Sequence, residues 1–255
     1  MSGLDRLGLS DNTLVYFTSD NGAHLEEKGV HGEVDGGSNG ILKGGKTHGA
    51  VDGGIRLPSS VRFPGKIPSN SVIEEPTWQM DMFPTIAHLI GASTPKDRII
   101  DGKNIINLLQ GKEKITPHEF FFHYCDIVHA VRYRPRTGNK IWKLVFYMPN
   151  YLPGKTVCYF GCLCRDCVKL EKPELYELTS DPGERNPLDI DSSREYKKLV
   201  TIMTKAKEDH EKTVVHVQQQ LSIYNSLWRP HMQPCCNFPY CSCEDSKYKN
   251  YEYKF

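Results

Sequence analysis

Between Gly22 and Gly54 one residue in three is glycine, 11 of 33. Glycine at that density suits neither a helix nor a strand, because it loses more backbone freedom on folding than any other residue. The stretch reads as a long loop ("GGSNG", "KGGK", "DGG") whose backbone can approach a ligand closely. The segment before it, "TLVYFTSD", is rich in β-branched and aromatic residues and predicts a buried strand that ends on Asp20 and Asn21. In open α/β sheets ligands gather beyond the carboxyl ends of strands. A carboxylate and an amide oxygen at such an end are the ligand types that Ca²⁺ and Mg²⁺ prefer. Further along the loop, "KGGKTHG" sets Lys46 beside glycines, a cation able to hold an anionic oxyacid group. A metal with a lysine suits attack at phosphorus or sulfur, where charge develops on several oxygens. The same letters have a plainer meaning. Asp-Asn-Gly is a common turn in which Asp and Asn bond their own backbone, and a lone lysine is usually a solvated one. Residue types alone make this a candidate site and no more.

The nine cysteines all lie from Cys125 onward, eight of them in "CYFGCLCRDC" and "CCNFPYCSC". Tight groups of this kind mean zinc or disulfides. Zinc sites usually show paired C-x-x-C or histidine ligands, and Cys164-x-x-Cys167 is the one such pair, so disulfides are the better reading. Disulfides imply an oxidising compartment. The opening "MSGLDRLGLSDN" carries no basic-then-apolar leader, however, so no signal peptide is expected in this chain. "LDRLGLSDN" resembles the last turns of a helix whose body would lie upstream, and the expectation is that the start of the protein is absent. A formal charge of +1 excludes a strong electrostatic attraction to nucleic acid. No window approaches the ~18 apolar residues of a membrane-spanning helix.

Along the chain, "IRLPSSVRFPGKI" predicts a short strand. In "EEPTWQMDMFPTIAHLIGA" a helix is expected with Asp81 as cap, Pro84 in its first turn, Gly91 as its stop, and Phe83, Ile86, Ala87 and Ile90 on its buried face. "DRIIDGKNIINLLQGK" reads as a connector and a short helix. From His118 the aromatic runs "HEFFFHYC", "HAVRYR" and "IWKLVFYMP" predict an antiparallel sheet. "LYELTSDPGERNPL" predicts a strand and an Asp-Pro-Gly turn, and a long surface helix then carries Leu199, Ile202 and Met203 on one side. The expected organisation is an α/β portion over 1–115, an α+β portion with an antiparallel sheet and one long helix over 116–243, and a charged, disordered tail over 244–255.

Taken in order, "LVYFTSDNGAH", "GGSNGILKGGKTHGAVDGGIRLP", "MDMFPTIAHLIGA", "RIIDGK", "HEFFFHYC" and "LYELTSDPGERNPL" resemble the C-terminal half of a type I sulfatase, of the subgroup that holds steroid sulfatase and arylsulfatases D, E, F and H. That resemblance implies an alkaline-phosphatase-like α/β fold entered partway through its large sheet. It implies hydrolysis of a small sulfate ester of an aryl or steroid-like alcohol, with Asp20 and Asn21 as Ca²⁺ ligands and Lys46 contacting the sulfate. His24, His48 and Asp52 are candidates for supporting contacts, and Asp52 stands where the family has glutamate. The subgroup's pattern implies Cys235 and Cys236 bonded to Cys241 and Cys243, and Cys125 tied into the group Cys158, Cys162 and Cys164, leaving Cys167 odd. The family's nucleophile is a formylglycine made in a C-x-P-S-R segment, and none of the nine cysteines begins one. By the same resemblance, membrane association would come through the absent half, and a complete relative would reside in the endoplasmic reticulum, Golgi or lysosome. Two other readings stay open: another hydrolase of the same superfold, and a non-catalytic fragment that acts by binding.

Overall fold

A computed structural model describes residues 1–33, 35–159 and 161–215, together with Ser222, Asn225 and Leu227. The cysteines Cys235, Cys236, Cys241 and Cys243 and the charged tail over 244–255 lie outside the described residues. Met1–Lys212 forms one compact unit.

The chain opens with a short helix, α1 (Ser2–Arg6), which ends before Gly8 in the left-handed conformation. Strand β1 (Val15–Thr18) then pairs antiparallel with β2 (Ser59–Arg62), and this pair is a sheet of two strands. The expectation of a buried strand is corrected here. No residue of β1 is buried and Phe17 is 67 % exposed, because among the described residues nothing pairs with its outer edge. Between the two strands runs the glycine-rich loop, which closes in a single helical turn, α2 (Asp52–Ile55).

Helix α3 (Met82–Leu89) forms where its sequence predicts, and Gly91, at positive φ, ends it. Its buried face differs from the expected one. Met82, Thr85 and Ala87 are buried, whereas Phe83, Ile86 and Ile90 are exposed. Polar bonds decide the rotation. Asp81 makes no side-chain cap to the helix; its buried carboxylate instead accepts from the Trp78 and Lys103 amides and pairs with His118 Nε2 at 2.7 Å. Thr85 Oγ1 donates to Asp81 O and accepts from Ile105 N. Burying those groups without partners would cost more than exposing three apolar side chains. Helix α4 (Ile106–Leu109) follows and packs through Leu108 and Leu109 beside Ile105.

The second sheet is the antiparallel order β3 (Phe120–Cys125), β4 (Ile127–Tyr133), β5 (Trp142–Pro149), β6 (Cys167–Glu177). Its strands bury both faces, and neighbouring residues divide between them as the pleat requires. Val131, Leu144 and Leu175 face α5 (Arg194–Glu211), meeting Leu199 and Met203. Ala130, Val145 and Tyr176 face the other way, onto Ala50 and Val51 at the end of the glycine-rich loop. The loop's last residues are therefore core residues of this sheet, both fully buried. That contact fixes where the loop sits.

Candidate functional site

The glycine-rich loop is folded back on the segment that leaves β1 by backbone bonds. Lys46 N donates to Ala23 O at 2.9 Å, and Gly22 N donates to Gly54 O at 3.1 Å. Asn39 fastens the same two segments, accepting from Ala23 N through Oδ1 and donating to Gly44 O through Nδ2, both at 2.8 Å. Glycine is required at the crossing, since a Cβ on Gly22 would collide with the Gly53 carbonyl. These bonds bring the turn that carries Lys46 against the chain just past Asp20 and Asn21. The side chains of Asp20, Asn21 and Lys46 make no hydrogen bond or ion pair among the described residues, and Asp20 and Lys46 are exposed.

His48 lies directly behind this turn and is 1 % exposed. Its Nδ1 accepts the Gly45 amide at 3.0 Å, so the ring proton sits on Nε2, which faces Glu26 Oε1 at 3.1 Å. Burial pushes the imidazole below its ordinary range; Glu26 opposes the shift and His24 adds to it. His48 is thus a neutral strut between Glu26 and the amide preceding Lys46. Glu26 also accepts the Cys158 amide, which ties the strut to the cysteine-rich connection before β6. His24 is peripheral, with Nδ1 3.4 Å from Glu27 and Nε2 3.9 Å from Glu26.

Asp52 stands deeper than the other candidates, at 1 % exposure. Its Oδ1 receives Lys143 Nζ at 2.8 Å and an Arg132 guanidinium nitrogen. Lys143 also meets Glu184 Oε1 at 2.7 Å, and Glu184 Oε2 accepts the Asp52 amide at 2.6 Å. Burial alone would raise the Asp52 carboxyl, but Arg132 and Lys143 outweigh it and hold the group well below the usual carboxylate range. Two anions and two cations cancel, as a buried cluster must. Its role is to bolt the loop to β4 and β5. Sequence reading missed Glu26, Asn39, Arg132, Lys143 and Glu184. Lys143 alone left a signal, a cation inside the apolar run "IWKLVFYMP".

Among the described residues the cysteines form two bridges, Cys125–Cys164 and Cys158–Cys162, with Cys167 free.

For Ca²⁺, Asp20 and Asn21 fit in kind. They are hard oxygen donors, adjacent and unpartnered among the described residues. They would supply two of the roughly 6–8 oxygens that the ion takes, and no third acid or histidine clusters with them among the described residues.

Comparison with known proteins agrees with this architecture. Residues 116–243 match the model for the C-terminal region of aryl-sulfatase, and residues 1–92 match the sulfatase model. Human steryl-sulfatase is 43 % identical over 252 residues, 96 % of this chain and 43 % of that protein. Human arylsulfatase D is 41 % identical over 96 % of this chain and 42 % of that protein. The chain therefore spans about two-fifths of the length of these curated relatives. A Bacteroides thetaiotaomicron structure, solved in work on the metabolism of multiple glycosaminoglycans, superposes with TM-score 0.61 at 26 % identity, over 83 % of this chain and 41 % of its own. A Pseudoalteromonas sulfatase gives TM-score 0.64 at 21 % identity, over 83 % and 39 %, a likeness of fold. The fold is the α/β alkaline-phosphatase-like one of these enzymes. With a C-terminal-region match over half its length and the loop-on-sheet arrangement described above, the chain belongs to the sulfatase family.

Proposed function

We propose that this chain is the C-terminal part of a sulfuric ester hydrolase that cleaves a small sulfate ester of an aryl or steroid-like alcohol. The observation that supports the reading is the Lys46 N to Ala23 O bond, which brings the backbone turn bearing Lys46 to the chain two residues past Asn21. Lys46 neutralises charge that grows on the sulfate oxygens and on the departing alcohol oxygen. Asp20 and Asn21 contribute two oxygen ligands to Ca²⁺, and the remaining ligands come from outside this chain. When bound, that ion supplies further neutralisation of the sulfate oxygens. His48 keeps the Gly45 amide, and with it the Lys46 turn, in a fixed place. The sequence contains no C-x-P-S-R segment, so a formylglycine nucleophile has to be supplied from elsewhere and this chain is inactive alone. Residues 1–115 then belong to the catalytic portion and 116–243 to the C-terminal subdomain. The two disulfides support an oxidising lumen such as the endoplasmic reticulum, Golgi or lysosome. Among the described residues no helix is long and apolar enough to cross a membrane.

The test is Lys46→Ala in a version completed with a C-x-P-S-R half. Loss of a charge-stabilising contact is expected to lower kcat for an aryl sulfate by about 10²–10³, with the unfolding midpoint unchanged because the side chain is exposed. Undiminished turnover would remove Lys46 from the chemistry.

One observation favours the second reading, a chain that acts by association. Among the described residues the β1–β2 sheet has unpaired edges, Phe17 is 67 % exposed, and Phe83, Ile86 and Ile90 form an exposed stripe. Sedimentation of the isolated chain separates the two: a monodisperse monomer at micromolar concentration would argue against association.

A further inference from the structure

Three sulfurs and a histidine converge at the open end of the second sheet. Cys125 closes β3, Cys167 opens β6, and His129 lies in β4. The Sγ atoms of Cys125 and Cys167 and a ring nitrogen of His129 all lie within 4.8 Å of one another. A tetrahedral zinc site with ~2.3 Å Zn–S bonds has a sulfur–sulfur edge of roughly 3.8 Å, so these atoms need to move by about 1 Å. Cys164 is bonded to Cys125 and precedes Cys167 by three residues, across the 3₁₀ turn Cys164–Asp166. In sequence this is C-x₃-H followed by C-x₂-C, a Cys₃His donor set.

His129 is aimed by the backbone. Tyr124 pairs with Val128 and His123 with Ala130, so the register slips by one and His129 is the extra residue of a β-bulge. Bulges re-aim side chains. The ring stacks on Tyr147 and is 1 % exposed, and its Nδ1 is buried with no hydrogen-bond partner among the described residues. A buried imidazole nitrogen without a partner is costly unless something occupies it.

We propose that, once the Cys125–Cys164 bridge is reduced, the chain binds one zinc ion through Cys125, His129, Cys164 and Cys167. An external dithiol supplies two electrons and two protons to the bridge and becomes a disulfide itself. The three thiols then release three protons as their sulfurs take the metal, and His129 binds as the neutral imidazole. The oxidised chain uses the same sulfurs as a bridge and holds no zinc there.

The experiment uses the whole chain, reduced under anaerobic conditions, with Co²⁺ and Zn²⁺ as probes. One equivalent of Co²⁺ is expected to give the intense visible absorption of a tetrahedral thiolate site, which Zn²⁺ abolishes, and the oxidised chain is expected to give none from these residues. Peptide-resolved alkylation then assigns the ligands in the wild-type chain. Zinc is expected to slow modification of Cys125, Cys164 and Cys167 together by at least tenfold and to leave Cys158 and Cys162 unchanged. His129→Ala is expected to weaken the metal at least tenfold; if that variant does not fold, the wild-type alkylation pattern still decides. Absence of protection at the three cysteines overturns the proposal, as does protection confined to Cys158 and Cys162 or to Cys235, Cys236, Cys241 and Cys243.

Discussion

The Lys143 ammonium stands 2.8 Å from the Asp52 carboxylate, with neither side chain more than 1 % exposed. One residue comes from the start of β5, the other from the end of the glycine-rich loop. Together with Arg132 and Glu184 they make the joint through which the sheet holds the candidate site. Removing one charge from such a cluster strands the others in a low-dielectric interior.

Lys143→Ala is therefore expected to destabilise the chain by about 3–5 kcal/mol. Lys143→Met paired with Glu184→Gln, which removes one charge of each sign, is expected to lose less. Urea unfolding of both variants checks the order; equal losses would mean that packing rather than charge sets the cost.

Acid is expected to weaken the protein in two steps. His48, buried behind the Lys46 turn and flanked by Glu26, His24 and Tyr151, has its folded pKa below its unfolded one. The unfolded chain then binds more protons, so this contribution is complete above about pH 6.5 and declines below it, at no more than about 1.4 kcal/mol per pH unit. Asp52 has a depressed carboxyl, so its contribution is complete above about pH 4 and is lost only below that. Urea midpoints measured from pH 7.5 to 5 should fall for the native chain and fall less for His48→Gln.

The two disulfides are expected to differ in worth. Cys125–Cys164 closes a separation of 39 residues and Cys158–Cys162 one of 4. Loop-closure entropy gives about 4 kcal/mol for the first and about 2 for the second. Thermal unfolding of Cys125→Ser with Cys164→Ser, against Cys158→Ser with Cys162→Ser, tests that ordering.

Gly22→Ala is expected to be damaging despite adding one methyl group. Its Cβ would collide with the Gly53 carbonyl, and the segment beyond Asn21 would be pushed off the loop. A loss of about 1–3 kcal/mol is expected, in the range of overpacked sites. An unchanged midpoint in differential scanning fluorimetry would mean that the crossing accommodates a methyl group.

Much of the architecture could be read from local patterning. The strands from Phe120 to Glu177 follow aromatic and β-branched runs, and α5 forms over the stretch with Leu199 and Met203 inward. The exposed side of β1 could not be read, because "TLVYF" is apolar whether or not another strand covers it. The rotation of α3 was hidden for a different reason: the bonds of Asp81 and Thr85 to Lys103, Ile105 and His118 reach far along the chain and override apolar spacing. At the candidate site, residue type and order single out Asp20, Asn21 and Lys46, whose roles are proposed above. They do not single out Glu26, Asn39 and Glu184, since a polar residue in a polar loop announces no partner.

The bond from the Asp52 amide to Glu184 spans 132 residues. At ribosomal rates of roughly 5–20 residues per second, that interval is about 7–26 s of synthesis. Until then the loop bearing Lys46 has emerged but Glu184, one of its anchors, has not, and pairing across such a distance carries a large closure entropy. Full anchoring of this loop is thus a late event in the protein's birth. A ribosome that stalls before β6 is complete would leave the loop of Lys46 exposed and unanchored, in the hands of whatever chaperone meets it first.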